Sequence, residues 1–134
     1  MAQTIPKLKN SVLTVFQKLR RLEDTGTRGC RGSVPCCTCG VMKHWKEMDG
    51  GHFVPRGISS TAFDPRNVHA QCKGCNGFGH GEQARYLVFL EQEYGREVAD
   101  ELMNRRGQLR KYTRVELQEM KKEYKKRIKE HPLS

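Results

Sequence analysis

The sequence predicts an α+β fold, with a small cysteine-rich centre and α-helices on both sides of it. Three observations predict this class: two C-x-x-C pairs in the middle of the chain, short β-prone stretches between them, and helical periodicity of apolar residues outside them. The chain has 134 residues, a length typical of one domain. We therefore expect a single domain over residues 1–134, with its centre at residues 30–81.

The N-terminal part of the chain is predicted to be a helix over residues 5–24. Its apolar residues recur every three to four positions and so share one face. They are Leu8, Val12, Val15, Phe16, Leu19 and Leu22. Pro6 is compatible with the first turn of a helix. Residues 25–35 are rich in turn formers and are predicted to be a loop.

Four cysteines have the spacing of a zinc site. Cys36 and Cys39 form one C-x-x-C pair, and Cys72 and Cys75 form the other. Each such turn presents two thiolates to one side of an ion, so two turns complete a tetrahedral site. A site with four cysteine ligands has no open position and is structural. We therefore expect structural zinc, which would compensate for a hydrophobic fraction of only 36%.

The other two cysteines are not expected to bind this ion. Cys30 has no partner at ligand spacing, and Cys37 lies inside the first C-x-x-C turn. The alternative use of six cysteines is three disulfides in a secreted protein. The chain starts without the apolar run of a signal peptide, and no window is apolar enough to span a membrane. We therefore expect reduced cysteines, a cytoplasmic location and no membrane partner.

Between the cysteine pairs, a short hairpin is predicted over residues 40–56. Asp49 and the two glycines after it are a turn signal, and a β-prone stretch begins at His52. Alternation along a strand would let His52 face a cleft while Phe53 packs in the core. A second turn is predicted at Asn67, just before the other cysteine pair.

Two helical segments are predicted after the centre. Residues 82–106 read as one or two helices, because Gly95 allows a break. Residues 113–130 are predicted to form the last helix, starting with a capping box of Thr113 and Glu116. This helix has a basic face with Lys121, Lys122, Lys125, Lys126 and Lys129. A solvated surface is the default explanation of such a face, and phosphate binding is the alternative.

The charge of the chain indicates a polyanionic partner. The formal net charge is +10 at pH 7, which is large for this length. The positive excess lies in the cysteine-rich centre and in the last helix, whereas the helical segment between them is acidic. This distribution fits a nucleic-acid surface better than solubility alone. DNA is therefore the expected partner.

The pattern of residues in the centre resembles the phage NinG (Rap) recombination proteins over roughly residues 30–130. The positions that carry the resemblance are the four paired cysteines, Trp45, Asp49, Gly51, His52, Phe53, Arg56, the stretch 67–71, Asn76, Gly81, Tyr86 and the segment 111–117. That family is regarded as structure-specific DNA endonucleases that act on branched recombination intermediates. It is assigned a His-Asn-His (HNH) core, a small ββα-metal unit that is treble-clef-like. The resemblance implies the same fold and activity here, in a protein encoded by a phage or prophage.

The resemblance also implies a role for each polar residue of the centre. His52 would be the general base, with the ordinary histidine pKa of about 6.5. Asn67 would orient the loop or the ring; a purely structural turn asparagine is the alternative. Zinc-braced phage resolvases of the endonuclease VII type bind the catalytic metal through an asparagine after the last cysteine, which implies that role for Asn76. Asp49 would be a second ligand of this divalent ion, Mg²⁺ or another, and His80 a further candidate.

One position departs from the family pattern. Many HNH sites place a carboxylate or histidine ligand immediately before the general base, where this chain has Gly51. Asp49 is the nearest carboxylate, and a tight turn at Gly50 would bring it to the metal. Arg56 is the nearest cation and would clamp the scissile phosphate. The predicted function is therefore metal-dependent cleavage of branched DNA.

Two other functions stay open at this point. A zinc-braced module that binds DNA without cutting it is favoured by Gly51, because a glycine leaves the catalytic metal with fewer ligands. A zinc knuckle that binds protein would leave the large positive charge unexplained. Symmetric cleavage of both strands of a junction usually requires a two-fold dimer, so a homodimer is a further expectation that the sequence leaves open.

Overall fold

The computed structural model describes residues 3–134 and has a mixed α+β architecture, as predicted. Two antiparallel two-stranded sheets lie between helices. The first sheet pairs β1 with β2, and the second pairs β3 with β4. In chain order the elements are α1 (Ile5–Arg28), β1 (Ser33–Pro35), β2 (Met42–His44), β3 (Met48–His52), β4 (Val68–Cys72), α2 (Gln83–Tyr94), α3 (Arg96–Asn104) and α4 (Arg114–Glu130). A π-helical turn, Gly74–Phe78, follows β4.

Helix α1 is one turn longer than predicted, because residues 25–28 are helical rather than part of a loop. Asp24 and Arg28 form an ion pair across this last turn, with an oxygen–nitrogen distance of 2.8 Å. The Asp24 carboxylate also accepts a hydrogen bond from the backbone N–H of Ala70 in β4, at 2.8 Å. These tertiary contacts outweigh the turn propensity of the local sequence. They also fasten α1 to the second sheet.

The hairpin predicted over residues 40–56 is wrong. The two glycines after Asp49 lie within β3, which pairs with β4 along its whole length. Gly50 is needed there because α1 packs directly on the strand: a Cβ at this position would lie 2.7 Å from Cβ of Gln17. The glycines thus serve close packing of a helix on a strand rather than a turn.

The β3–β4 sheet is packed between α1 and the pair α2–α3. One cluster of buried residues joins Leu19 and Leu22 of α1 to Met48, Trp45 and three of the paired cysteines, Cys36, Cys72 and Cys75, so the tryptophan packs beside the cysteine centre. A second cluster joins Phe53 to α2 and α3. A third joins the start of α1 to α4.

The helices after the centre match their predictions. Gly95 has a φ of +93° and separates α2 from α3. Helix α4 begins with the predicted capping box, in which Thr113 and Glu116 each bond the other's backbone N–H. Within residues 3–134, none of the helices has both the length and the apolar character that a bilayer crossing requires.

A buried histidine links the second sheet to α2. His69 lies 3.2 Å from the Tyr86 hydroxyl through Nδ1 and 2.7 Å from the Tyr94 hydroxyl through Nε2. The Tyr86 hydroxyl donates its proton to the Gly51 carbonyl at 2.7 Å. Nδ1 of His69 therefore donates to Tyr86, and Nε2 accepts from Tyr94. Burial lowers the pKa of His69 to about 3, although the Asp24 carboxylate opposes the shift.

Acid is expected to destabilise this protein through His69. Its pKa is lowered on folding, so the unfolded chain binds more protons below about pH 6.5 and stability falls as pH decreases through that range. Between pH 7 and pH 4.5 the loss from His69 is about 2.5 kcal/mol. Chemical denaturation across this range, for the parent and His69→Gln, measures it. The free energy of unfolding is plotted against pH for each protein, and the difference between the two slopes isolates His69 from the other acid-sensitive groups. Parallel curves for the parent and the variant would contradict the prediction.

Candidate functional site

The four predicted cysteine ligands converge on one point. Their sulfur atoms all lie within 4.8 Å of one another, and Sγ of Cys39 is 3.7 Å from Sγ of Cys72. Zinc–sulfur bonds of about 2.3 Å at tetrahedral angles place sulfurs about 3.8 Å apart. The geometry therefore fits a structural metal such as zinc. The cluster consists of Cys36, Cys39, Cys72 and Cys75.

Backbone N–H groups surround these sulfurs as they do in metal-binding turns. Sγ of Cys36 accepts from the amides of Cys72 and Cys39, at 3.2 and 3.5 Å, and Sγ of Cys72 accepts from the amide of Cys75 at 3.4 Å. Burial raises the pKa of Cys36, but these bonds and the Thr38 hydroxyl outweigh it and lower that pKa to about 6. A thiol with a low pKa is readily converted to the thiolate that binds metal.

Cys30 and Cys37 stay outside this group, as predicted. Cys37 is buried against α2 and α3, where burial raises the pKa of its thiol. Cys30 is exposed. Over the described part of the chain, the four paired cysteines are the one cluster of three or more His, Cys, Asp or Glu side chains close enough to share an ion.

A polar cleft runs beside the cysteine centre, between α1, β3 and the segment after Cys75. It consists of two adjoining cavities of about 210 and 310 Å³, which share Gln17, Gly50, Arg56 and Asn76 on their walls. Five residues predicted from the sequence line this cleft: Asp49, His52, Arg56, Asn76 and His80. Asp49 and His80, which are 31 positions apart along the chain, thus meet at one opening.

His52 is held in one orientation at this cleft and is only 9% exposed. Its Nε2 lies 3.0 Å from the carbonyl oxygen of Ala62. Because a carbonyl only accepts, Nε2 carries the proton and Nδ1 has the free lone pair. Nδ1 makes no hydrogen bond within residues 3–134, and it is not among the fully buried polar atoms that lack a partner. It is therefore open to the cleft.

The structure corrects the pKa expected for His52. Burial lowers the pKa from the ordinary value to about 4; the Ala62 hydrogen bond opposes this shift and the Arg56 charge adds to it. The imidazole is therefore neutral at pH 7, which is the form that can accept a proton.

Asn67 is fully buried and does not line the cleft. Its Oδ1 accepts from the Val54 amide at 2.8 Å, and its Nδ2 donates to the carbonyls of Val54 and Thr61, at 2.9 and 3.2 Å. These bonds fasten the loop between β3 and β4, and that loop supplies the Ala62 carbonyl to His52. Asn67 thus supports the loop whose Ala62 carbonyl contacts His52. The sequence offered no signal for Ala62, since any residue provides a carbonyl.

Strand β3, and not the predicted tight turn at Gly50, brings Asp49 to the cleft. It projects from β3 toward the segment after β4, where Nδ2 of Asn76 donates to its Oδ2 at 3.0 Å. Lys73 contacts the other carboxylate oxygen at 2.7 Å. That lysine is mostly exposed, so this ion pair contributes little to stability. The carboxylate and the carboxamide are therefore adjacent groups in the same cleft.

A run of left-handed backbone begins at the cleft, which His80 and Gly81 line. His80 and Glu82 have φ of +51° and +47°, and Gly81 between them has +88°. Non-glycine residues in this region are unfavourable by about 1–2 kcal/mol each and are frequent at functional sites. The side chain of His80 is exposed at the cleft.

Gly51 has a packing reason that excludes a ligand at this position. A Cβ on Gly51 would lie 2.0 Å from Oε1 and 2.9 Å from Cβ of Gln71. Gln71 is buried, and its Nε2 donates to the Gly81 carbonyl at 2.9 Å and to the Thr38 hydroxyl at 3.2 Å. The space that a carboxylate or histidine would need before His52 is filled by this glutamine.

Replacement of Gly51 by alanine is expected to destabilise the protein by about 1–3 kcal/mol, because Gln71 must move and lose its hydrogen bonds. Thermal unfolding of Gly51→Ala against Gly57→Ala measures this effect. Gly57 is a matched control, since nothing lies within 4 Å of a Cβ there. In the double variant with Gln71→Ala, the cost of the added methyl group should shrink. Equal stability of the two glycine variants would rule out the packing explanation.

The lysines predicted to bind DNA lie away from the cleft, on α4, which packs against α1. Lys121 donates to Ser11 of α1 at 2.6 Å. The other four lysines, Lys122, Lys125, Lys126 and Lys129, are exposed. Instead, α1 itself lines the cleft with Thr14, Gln17 and Arg21. Their helical spacing, on the side of α1 opposite the apolar stripe, was the available signal for this polar face.

Comparison with known proteins identifies the family. Residues 7–132 match the family model described as Bacteriophage Lambda NinG protein. Protein ninG of Escherichia phage lambda is 31% identical over 98 residues, which are 72% of this chain and 47% of that protein. Protein ninG of Escherichia phage 933W is also 31% identical over 98 residues, covering 72% and 48%. Protein ninG of Salmonella phage P22 has the same identity and covers 72% and 47%.

The chain spans about half the length of the curated relatives it matches. No solved structure matches it significantly. The family match covers nearly all of the chain, including both cysteine pairs and every residue named on the cleft. The chain therefore belongs to the NinG family of bacteriophage proteins.

Proposed function

We propose that this protein is a metal-dependent, structure-specific DNA endonuclease of the HNH type, braced by zinc. The observation that supports it most is the state of His52: one ring nitrogen is held by a backbone carbonyl, and the other opens onto a polar cleft. An imidazole arranged in this way is suited to take a proton from a water molecule.

The local architecture also supports the proposal. Strands β3 and β4 form an antiparallel pair, and the helical turn Gly74–Phe78 follows directly. The second cysteine pair spans the junction between β4 and that turn. A ββα-metal, treble-clef-like unit would have this order of two strands and a helical turn, with the cysteines holding the metal, and this agreement supports the proposal. The zinc would thus hold the turn with Asn76 against the strand with His52.

His52 would act as the general base. Hydrolysis of a phosphodiester requires a water to lose a proton as it attacks phosphorus. Nδ1 can accept that proton, and the Ala62 carbonyl on Nε2 would stabilise the imidazolium that forms. Asn67 would keep this carbonyl in place through its three bonds to the loop.

The donor set beside His52 fits a hard divalent ion. Asp49 and Asn76 offer carboxylate and carboxamide oxygens, and rotation of the Asn76 amide would place its oxygen beside the carboxylate that Nδ2 now contacts. Mg²⁺ commonly takes one or two protein ligands and completes its shell with phosphate and water. Such an ion would stabilise charge on the phosphate and on the leaving oxygen. His80, which also lines the cleft, is a further candidate ligand.

Arg56 would bind the scissile phosphate. Its side chain is exposed on the wall shared by both cavities, and it forms no ion pair among residues 3–134. A guanidinium without a carboxylate partner can give both its N–H edges to phosphate oxygens. The basic face of α4 would extend the DNA contact with Lys121, Lys122, Lys125, Lys126 and Lys129.

A zinc-braced DNA-binding module without cleavage is the second candidate. It is favoured by the ligand count: Asp49 is the one carboxylate placed at the cleft among the described residues, and Gly51 is excluded as a ligand by Gln71. This candidate requires the same zinc, the same basic surface and no catalytic ion.

The decisive experiment is an incubation of the zinc-loaded protein with end-labelled four-way junction, flap and linear duplex DNA, in Mg²⁺ and in EDTA. The expected result is cleavage of a branched substrate in Mg²⁺ and no cleavage of it in EDTA. Binding that weakens steeply with salt but gives no cleavage in Mg²⁺ or Mn²⁺ would assign the binding module instead. Absence of DNA binding at low salt would refute both candidates. A sizing column run beside it tests the homodimer.

A further inference from the structure

A single aromatic side chain projects into solvent next to the candidate cleft. Phe78 is 94% exposed, the highest value among the large apolar side chains that the structure describes as exposed. Isolated exposed apolar residues are ordinary on protein surfaces. The position of Phe78 distinguishes it: Asn76 lies two residues before it and His80 two residues after it, and both line the cleft.

The segment that carries Phe78 is fastened to the cysteine centre. The amide of Gly79 bonds the Gly74 carbonyl, and the amide of Gly81 bonds the Cys75 carbonyl, each at 2.8 Å. A Cβ on Gly79 would lie 2.8 Å from the Cys75 carbonyl oxygen, so the backbone turns tightly against the second cysteine pair. Phe78 is therefore presented from a supported turn, with glycine on both sides and no neighbour covering its ring.

We propose that Phe78 stacks on a base whose face is exposed at a branch point of DNA and so gives the protein its preference for branched over linear duplex substrates. This inference rests on the proposed function of the adjacent cleft. A phosphate bound by Arg56 in the cleft would bring the bases of the same strand within reach of the Phe78 ring. Aromatic rings stack on bases of any sequence, and protein side chains that enter a duplex must first unstack its base steps.

The charge around Phe78 selects nucleic acid as the occupant. Arg56 lies on the cleft, Lys73 lies just before the turn and pairs with Asp49, and the whole chain has a net charge of +10. In linear duplex DNA each base is covered by its neighbours, so the ring finds no free face. At a junction or flap the stack is interrupted, and one base face is open. The ring thus distinguishes substrates by shape, without reading sequence.

Phe78→Ala tests this inference, with Phe78→Trp as the variant that keeps stacking. Leu109→Ala is the matched control, because Leu109 is 76% exposed and lines a different cavity. We expect Phe78→Ala to cut or bind a four-way junction at least about fivefold less well, with linear duplex unchanged. Phe78→Trp should retain the preference, and its added fluorescence, relative to the parent with Trp45, should change on junction DNA and not on duplex.

The outcomes separate this inference from the function on which it rests. If the parent cuts no DNA, the nuclease proposal fails, and the ratio of junction to duplex binding in EDTA still tests Phe78. An unchanged ratio in Phe78→Ala, or an equal loss on junction and duplex, would overturn the stacking role. A change in oligomeric state of Phe78→Ala on a sizing column would also overturn it, since the ring would then cover a second copy of the chain.

Discussion

Replacement of Cys72 by serine is expected to abolish the cooperative fold of the centre. Cys72 ends β4, its sulfur lies 3.7 Å from that of Cys39, and it accepts the Cys75 amide. Structural zinc contributes roughly 10–16 kcal/mol in zinc-finger peptides, which is as large as the whole stability of a typical domain. Loss of one ligand weakens zinc binding, and the apolar clusters around β3 and β4 cannot replace a stabilisation of this size. Zinc content per chain and the thermal unfolding transition measure the effect.

The matched control for this variant is Cys30→Ser. Cys30 is exposed and lies outside the cluster, so zinc content and unfolding temperature should equal those of the parent. Addition of a strong chelator to the parent should reproduce the Cys72→Ser result. A Cys72→Ser protein that unfolds at the parent temperature without bound metal would show that zinc does not hold the centre together.

Replacement of His52 by alanine is expected to lower the rate of DNA cleavage by about 10²–10⁴-fold, the usual contribution of a general base. Binding of junction DNA in EDTA should be unchanged within about twofold, because Arg56 and the lysines of α4 remain. Since burial lowers the pKa of His52 to about 4, the neutral base is present above that value. The cleavage rate of the parent should therefore not fall through pH 6.5 from protonation of this group.

His44→Ala is the control for loss of a histidine, because His44 lies in β2 and does not line the cleft. Added imidazole should restore part of the activity of His52→Ala by occupying the vacated space, and should not affect the control. Circular dichroism and zinc content must match the parent for the comparison to hold. Cleavage by His52→Ala at the parent rate would remove this residue from the mechanism and favour the DNA-binding module.

The two variants report on different levels of the molecule. Cys72→Ser tests whether the metal supports the fold, and failure of that support would remove binding and cleavage together. His52→Ala leaves Ala62, Asn67 and the cysteines in place, so its effect is confined to proton transfer. Loss of stability in Cys72→Ser, together with loss of cleavage in His52→Ala, would agree with both parts of the proposal.

The sequence by itself determined the elements whose signals are local. The two C-x-x-C pairs identified the four converging sulfurs, because three-residue spacing places two thiolates on one side of a turn. Apolar periodicity identified α1 and α4, and the capping box of Thr113 and Glu116 located the start of α4. The sequence also named five residues that meet at the cleft, on the strength of the family resemblance.

Only the tertiary structure decided how those residues work together. Gly50 and Gly51 are within β3 because Gln17 and Gln71 fill the space that side chains would need. The Ala62 carbonyl orients His52, and burial, not its neighbours in sequence, sets the pKa of that histidine. Each of these features depends on contacts between residues far apart in the chain. Local propensity and spacing contain no information about such contacts, whereas packing and desolvation are produced by them.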